Sequence, residues 1–195
     1  RPGAAHGAPR HVVHDAAVVV EEGMVGLEFS VFYVFDGRTG FAFAPAQDFK
    51  RIGDDDTGPN TGGMGAYSPV PALTDAVWSQ TLERILEPTC AQLQAEGIDY
   101  RGVLYASIMA TAAGPKLIEY NVRFGDPDGQ VALARFPGDL AATLRAAARG
   151  ELTVPDRLAD DAMASVNVVL ASAGYPASSS KGDVITGLAE AGSVP

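Results

Sequence analysis

A chain of 195 residues that is 47% hydrophobic and 19% charged has enough apolar material for a sizeable core in one or two domains. Its formal net charge of −10 argues against nucleic acid or an anionic membrane as a partner, though not against a small anionic substrate held by a few local cations. The single cysteine, Cys90, excludes an internal disulfide and fits a reducing cytoplasm, and no apolar run reaches the ~18 residues of a membrane span.

Residues 1–16 carry all three histidines (His6, His11, His14) among Gly, Ala, Pro and Arg, with no apolar periodicity. An irregular start is expected there, with metal ligation by the histidines as the alternative. The first residue is Arg1 rather than Met, which suggests a piece of a longer protein. Ala17–Glu21 predicts a buried strand, and Leu27–Phe35 a longer one with Leu27, Phe29, Val31, Tyr33 and Phe35 on one face. A turn at Asp36–Gly40 then brings Phe41–Ala46 back as an antiparallel partner. Thr74 and Asp75 are N-cap candidates for a helix through about Glu96, interrupted at Pro88. Leu82, Ile85, Leu86, Cys90 and Leu93 recur at helical spacing, so Cys90 reads as core and not as a nucleophile. Val103–Thr111 and Pro115–Val122 predict a strand pair joined by Ala112–Gly114. Helices follow at Pro127–Phe136 and Asp139–Arg149, a strand at Met163–Ser172, a turn at Ala177–Ser180, and a short strand at Val184–Ile185. Antiparallel strand pairs with helices set apart from them make the class α+β.

The stretch Asp56–Pro69 holds Gly58, Gly62, Gly63 and Gly65 with Pro59 and Pro69, so it cannot be a helix, and Met64 and Tyr67 have no place in a flexible spacer. An ordered loop is expected, its successive N–H groups forming an anion nest suited to phosphate. A tight surface turn would explain two of the glycines but not four. Lys50 and Arg51, just ahead of it, are either phosphate partners or solvated surface cations. In Leu117–Arg123 the strand period puts Glu119, Asn121 and Arg123 on one face and turns Ile118, Tyr120 and Val122 into the core. A carboxylate beside an amide oxygen suits Mg²⁺; the alternative is a solvated outer face, on which Asn is a poor strand residue. Tyr105–Met109 offers no carboxylate, so such a metal would have two protein ligands. Arg123 could hold a carboxylate or stabilise a transferring phosphoryl group. Asp126 and Asp128 could bind the cation of an amine substrate or cap the next helix. No Ser/His/Asp or Cys/His constellation is evident.

Gln47–Arg51 followed by Gly58–Pro69 resembles the glycinamide ribonucleotide synthetase (phosphoribosylamine–glycine ligase) family, ATP-grasp enzymes of purine biosynthesis. Ile118–Asp128 with Gln130, and Ala173–Pro176 followed by Gly182–Ile185, are similar to later blocks of the same family, so the likeness runs from about Val18 to about Leu188. The resemblance implies the C-terminal part of an ATP-grasp domain at 17–155 and the start of a further domain at 156–195. It implies Mg²⁺ or Mn²⁺ at Glu119 and Asn121, ATP at Glu21, Glu22, Met24 and Glu28, and a catalytic role for Arg123. Substrate would be held by Asp48, Lys50, Arg51, Pro59, Asn60, Thr61, Gly62, Gly63, Met64, Gly65 and Asp126. Two departures stand out: Gly23-Met24 replaces the usual Phe-Leu, and Asp128-Gly129 replaces Glu-Thr, which shortens one side chain and loosens the turn. The implied reaction is cytoplasmic ligation of glycine to phosphoribosylamine through a glycyl phosphate, with no nucleic acid or membrane partner. The only lysines are Lys50, Lys116 and Lys181, so the family's lid lysine is not found before Val18, and the piece alone is expected to be inactive. The alternatives are a non-catalytic nucleotide-binding remnant and another ATP-grasp carboxylate–amine ligase.

Overall fold

Strand β1 (Leu27–Phe35) is the axis of the computed structural model, which describes residues 19–156, 158, 159 and 163–193. It pairs antiparallel with β2 (Gly40–Ala42) on one side and with β5 (Gly102–Thr111) on the other, and β5 pairs with β6 (Gly114–Asn121). The resulting four-stranded sheet has the order β2-β1-β5-β6. A second, three-stranded antiparallel sheet is built from β3 (Gln47–Gly53), β4 (Thr57–Ser68) and β7 (Ser165–Val168), with β4 in the middle.

Both faces of β1 are buried, which is why Ser30–Phe35 reads as a nearly unbroken apolar run. One face, Phe29, Val31, Tyr33 and Phe35, packs with Leu104, Ala106 and Ile108 of β5 against the helical segment 75–95. Phe32 and Val34 on the other face join Phe41, Phe43, Phe136 and Leu152. Phe43 meets Phe136 edge-on at 5.0 Å and Phe32 stacks on Tyr105 at 5.1 Å, an aromatic packing that fixes the second layer on the sheet. Each such ring or Leu-sized side chain contributes ~1.5–3 kcal/mol by leaving water.

The helical segment starts where the capping pattern predicts, with Thr74 Oγ1 accepting from the Val77 N–H at 3.3 Å. It runs as α1 (Asp75–Thr81), a π turn (Leu82–Leu86) and α2 (Glu87–Ala95). The interruption expected at Pro88 thus lies just ahead of it as the π turn, and Pro88 itself sits in the first turn of α2. Buried Leu86 and Cys90 face the sheet, as their spacing predicts. Helices α3 (Asp128–Ala134) and α4 (Leu140–Arg149) cover the opposite face, and α4 is capped by Asp139 Oδ1 on the Ala142 N–H at 2.9 Å. A last short helix, α5, spans Leu188–Ala191.

Six expectations need correction. The Gly-rich stretch is not a loop but the twelve-residue β4, paired along both edges; its glycines let neighbouring chains approach, since a Cβ on Gly65 would lie 2.8 Å from the Asn167 carbonyl oxygen. Register shifts in the β3 partner and positive φ at Gly58 and Gly63 accommodate what propensity alone disfavours in a strand. The buried strand expected at Ala17–Glu21 is absent over Val19–Glu21, where Val19 and Val20 are exposed; Ala17 lies outside the described residues, as do the three histidines. Val122 is 73% exposed instead of buried, because β6 ends at Asn121 and the chain bends away. The strand at 163–172 shrinks to β7, and Val184–Ile185 is not a strand. The return strand also stops at Ala42, although Ala46 rejoins β1 by an isolated bridge to Ser30.

Candidate functional site

Strand register brings polar side chains to one face of the four-stranded sheet. Ser107 of β5 lies opposite Glu119 of β6, and Tyr105 opposite Asn121. Asn121 Nδ2 donates to Glu119 Oε1 at 3.1 Å, so the two predicted metal ligands are adjacent. Ser107 Oγ donates to Glu28 Oε1 at 2.9 Å, and the Lys50 ammonium donates to the same oxygen. A continuous polar line therefore runs from Asn121 and Glu119 through Ser107 to the Glu28–Lys50 ion pair, crossing from the larger sheet to β3.

Past that line a cavity of ≈ 640 Å³ opens, and Met24, Glu28, Asp48, Lys50, Arg51 and Asn60 are among its lining residues. Six of the fifteen predicted nucleotide and substrate residues thus share one cleft. Glu21 and Glu22 do not line it; Glu22 is exposed and held by Lys116 Nζ at 2.6 and 2.7 Å. The chain leading into the cleft is pressed against β5 at Gly26, where a Cβ would fall 2.0 Å from the Ala110 carbonyl oxygen.

On β4 the predicted residues separate. Thr61 Oγ1 donates to the Lys50 carbonyl at 2.7 Å and accepts from the Gly63 N–H at 3.0 Å. The Gly62 N–H donates to the Tyr175 hydroxyl at 3.0 Å, so hydroxyls occupy the amides expected to face an anion. Gly62, Gly63 and Asp126 line a smaller cavity of ≈ 290 Å³ with Tyr175 and Ser172. Gly63 touches protein closely: its Cβ would lie 2.3 Å from Pro127 Cδ. Met64 and Gly65 line another cavity, against Phe49, Tyr67 and Val166, while Pro59 is exposed. Arg123 is exposed, donates to the Phe124 carbonyl at 2.9 Å and lies 6.0 Å over the Tyr105 ring. Asp126 caps no backbone N–H; its Oδ1 accepts from Gln130 Nε2 at 2.7 Å.

The electrostatics are concentrated at Asp48. Burial pushes its carboxyl up to about 6; Lys50 pulls it down, while Asp128 and Glu28 add to the rise. Burial lowers the Lys50 ammonium, but its hydrogen bond to Glu28 and the charges of Asp48 and Glu28 outweigh this and leave it raised. Tyr105 rises to about 12 through burial and the charge of Asp128, despite the bond between its hydroxyl and Ser30 Oγ at 3.1 Å. The Cys90 thiol is pushed up to about 11 by burial and Glu87, which keeps it protonated and inert, as the apolar spacing predicts.

Glu119 and Asn121 offer a carboxylate and an amide carbonyl, a hard-oxygen pair that fits Mg²⁺ or Mn²⁺ completed by phosphate and water oxygens. Among the described residues no group of three or more His, Cys, Asp or Glu could hold a metal. Sequence reasoning missed Ser107, Tyr105 and Tyr175. The strand period could have found the first two, since they lie opposite the predicted metal ligands.

Residues 11–129 match the family described as phosphoribosylglycinamide synthetase, ATP-grasp (A) domain. The chain belongs to this family. It is 49% identical over 177 residues to the phosphoribosylamine–glycine ligase of Mesorhizobium japonicum, covering 90% of this chain and 41% of that protein. It is 50% identical over 179 residues to the Vigna unguiculata protein of the same name, covering 91% and 57%. The chain thus spans well under two thirds of the length of these relatives. Among solved structures, the phosphoribosylamine–glycine ligase of Thermotoga maritima superposes with a TM-score of 0.73 at 34% identity, over 82% of this chain and 40% of that one. An N5-carboxyaminoimidazole synthase from Aspergillus clavatus shares the fold, with a TM-score of 0.56 at 14% identity. The phosphoribosylglycinamide synthetase fold is the α+β ATP-grasp arrangement that the sequence predicts. No helix among the described residues is long and apolar enough to cross a membrane.

Proposed function

We propose that the protein is part of a cytoplasmic ATP-dependent ligase that joins glycine to 5-phosphoribosylamine, giving glycinamide ribonucleotide, ADP and phosphate, with no nucleic acid or membrane partner. The observation that carries this reading is the polar line from Glu119 and Asn121 through Ser107 to Glu28 and Lys50. It lies in a chain half-identical to proteins named phosphoribosylamine–glycine ligase.

The chemistry needs an activated carboxylate. A carboxylate oxygen of glycine takes the terminal phosphoryl group of ATP, ADP leaves, and the amine of phosphoribosylamine attacks the carbonyl carbon while phosphate departs. A divalent cation held by Glu119 and Asn121 would offset the phosphate charge. This chain's own residues bind and orient. Lys50, steadied by Glu28, supplies a positive charge on the floor of the cleft. Arg123 is free of acidic partners among the described residues and can hold a carboxylate or a phosphoryl oxygen. Met24 and Glu28 border the nucleotide cavity, and the Gly62–Gly63 amides can exchange their hydroxyl partners for the phosphate of the acceptor. Positioning and charge compensation supply most of the catalysis of phosphoryl transfer.

The test is ADP release by the full-length gene product with ATP and Mg²⁺. Release that requires both glycine and phosphoribosylamine is the expected result. Release without glycine, or none with all substrates present, would refute the assignment.

A further inference from the structure

Strand β6 carries both predicted metal ligands at its very end, and the sheet holds that end from one side only. It closes the order β2-β1-β5-β6, so β5 is its one strand partner among the described residues. A register shift interrupts the β5–β6 ladder between Ser107 and Ile108, and the ladder skips Ile118, just ahead of Glu119. Such an irregularity disrupts pairing locally. The strand stops at Asn121, beyond which Val122 is exposed. Glu119, Tyr120 and Asn121 therefore form a short island between an irregularity and a strand end, paired only with Ser107, Ala106 and Tyr105.

A second anchor comes from the opposite face. Tyr120 lies between the two ligands in sequence and packs against the core layer that contains Leu86 and Ile108. Its hydroxyl is 2.7 Å from Thr89 Oγ1 of α2 and 3.4 Å from the Ile85 carbonyl oxygen in the π turn. Thr89 Oγ1 donates its one hydrogen to that same carbonyl at 2.7 Å, so the Tyr120 hydroxyl is the donor to Thr89. The chain Tyr120–Thr89–Ile85 thus ties the island to the helical segment, and it does so at a π turn, a rare element found frequently at functional sites.

We propose that Tyr120 is a positioning residue for Glu119 and Asn121, its bond to Thr89 fixing the strand end that presents them to the divalent cation. This rests on the reading of that pair as the metal site. Side chains alternate across a strand, so any displacement of Tyr120 on the core face moves both of its neighbours on the other. The ring alone fills the core; the hydroxyl selects one position for it.

The experiment uses the full-length gene product with Tyr120→Phe and, separately, Thr89→Val, which remove the same bond from opposite ends. Mn²⁺ binding beside a non-hydrolysable ATP analogue is read, without turnover, from the electron paramagnetic resonance signal of free Mn²⁺. Each variant is expected to bind Mn²⁺ roughly three- to tenfold more weakly, the range for loss of one net hydrogen bond. The double variant should be no weaker than the weaker single, because the bond is shared. Thr89→Ser keeps the hydroxyl and should stay within about twofold of the unaltered protein. In the metal-free proteins, amide hydrogen exchange at residues 119–121 should quicken at least about fivefold in Tyr120→Phe, while β1 keeps its protection. Unchanged Mn²⁺ affinity in both variants, Thr89→Ser as weak as Thr89→Val, or equal loss of protection in β1 and β6 overturns the proposal. If one variant does not fold, the other decides. Glu119→Ala separates this role from the reading beneath it. Mn²⁺ bound there as tightly as by the unaltered protein refutes the metal pair and the proposal together. Weakened binding there, with normal binding in Tyr120→Phe and Thr89→Val, refutes the positioning role alone.

Discussion

Asp48→Asn is expected to stabilise the protein at neutral pH and to change it little near pH 4. Asp48 titrates at about 6 in the folded protein, against an ordinary value of 3.8, chiefly because it is buried. Between those values the folded chain holds a proton that the unfolded chain has lost, so stability falls as pH rises through the interval and the full penalty is present above about pH 6. The rise corresponds to ~3 kcal/mol at ~1.4 kcal/mol per pH unit, and solvent contact at the cleft brings the expected gain to ~1–2 kcal/mol. Asn keeps the shape and removes the charge. Urea unfolding of both proteins at pH 4 and pH 7.5 measures the difference directly, and other titrating groups largely cancel in it. A difference that is the same at both pH values, or a variant less stable at pH 7.5, would refute the reasoning.

Glu119→Ala in the full-length protein should abolish ligation while leaving the far-ultraviolet circular dichroism unchanged, since Glu119 is exposed on the sheet face; undiminished turnover at low magnesium would remove it from the metal site. Tyr175→Phe takes the hydroxyl partner from the Gly62 N–H and should alter the apparent KM for phosphoribosylamine more than that for ATP; equal effects on both would detach Tyr175 from the acceptor. Leu86→Ala opens a cavity in the layer between helix and sheet and should cost ~2–5 kcal/mol in urea unfolding; a loss below ~1 kcal/mol would mean that the segment can collapse around it.

The larger sheet was legible because both signals for it are local. Leu27–Phe35 carries its apolar pattern on consecutive residues, and the turns at Asp36–Gly40 and Ala112–Gly114 set which strands meet. The smaller sheet was hidden because its centre, β4, violates strand propensity. Its glycines are explained only by chains distant in sequence: Asn167 crowds Gly65, and Pro127 crowds Gly63. A window of a few residues shows an excess of glycine and cannot show which neighbour requires it. Gly63 is therefore a packing residue, and substituting it would disturb the Asp126–Pro127 segment before it reported on any ligand.

The same distinction governs the site. Glu119 and Asn121 were visible because period-two spacing places them together, and that spacing survives the β6 irregularity near Ile118 since both lie beyond it. The setting of Asp128 was not legible, because the motif around it allowed either a helix cap or a cation ligand. In the structure α3 starts without a side-chain cap, and Asp128 Oδ2 is buried with no hydrogen-bond partner. Helix capping would have satisfied that oxygen with a backbone N–H and left no demand for a partner. The buried carboxylate adds a negative charge to a cluster whose one lysine is already engaged by Glu28.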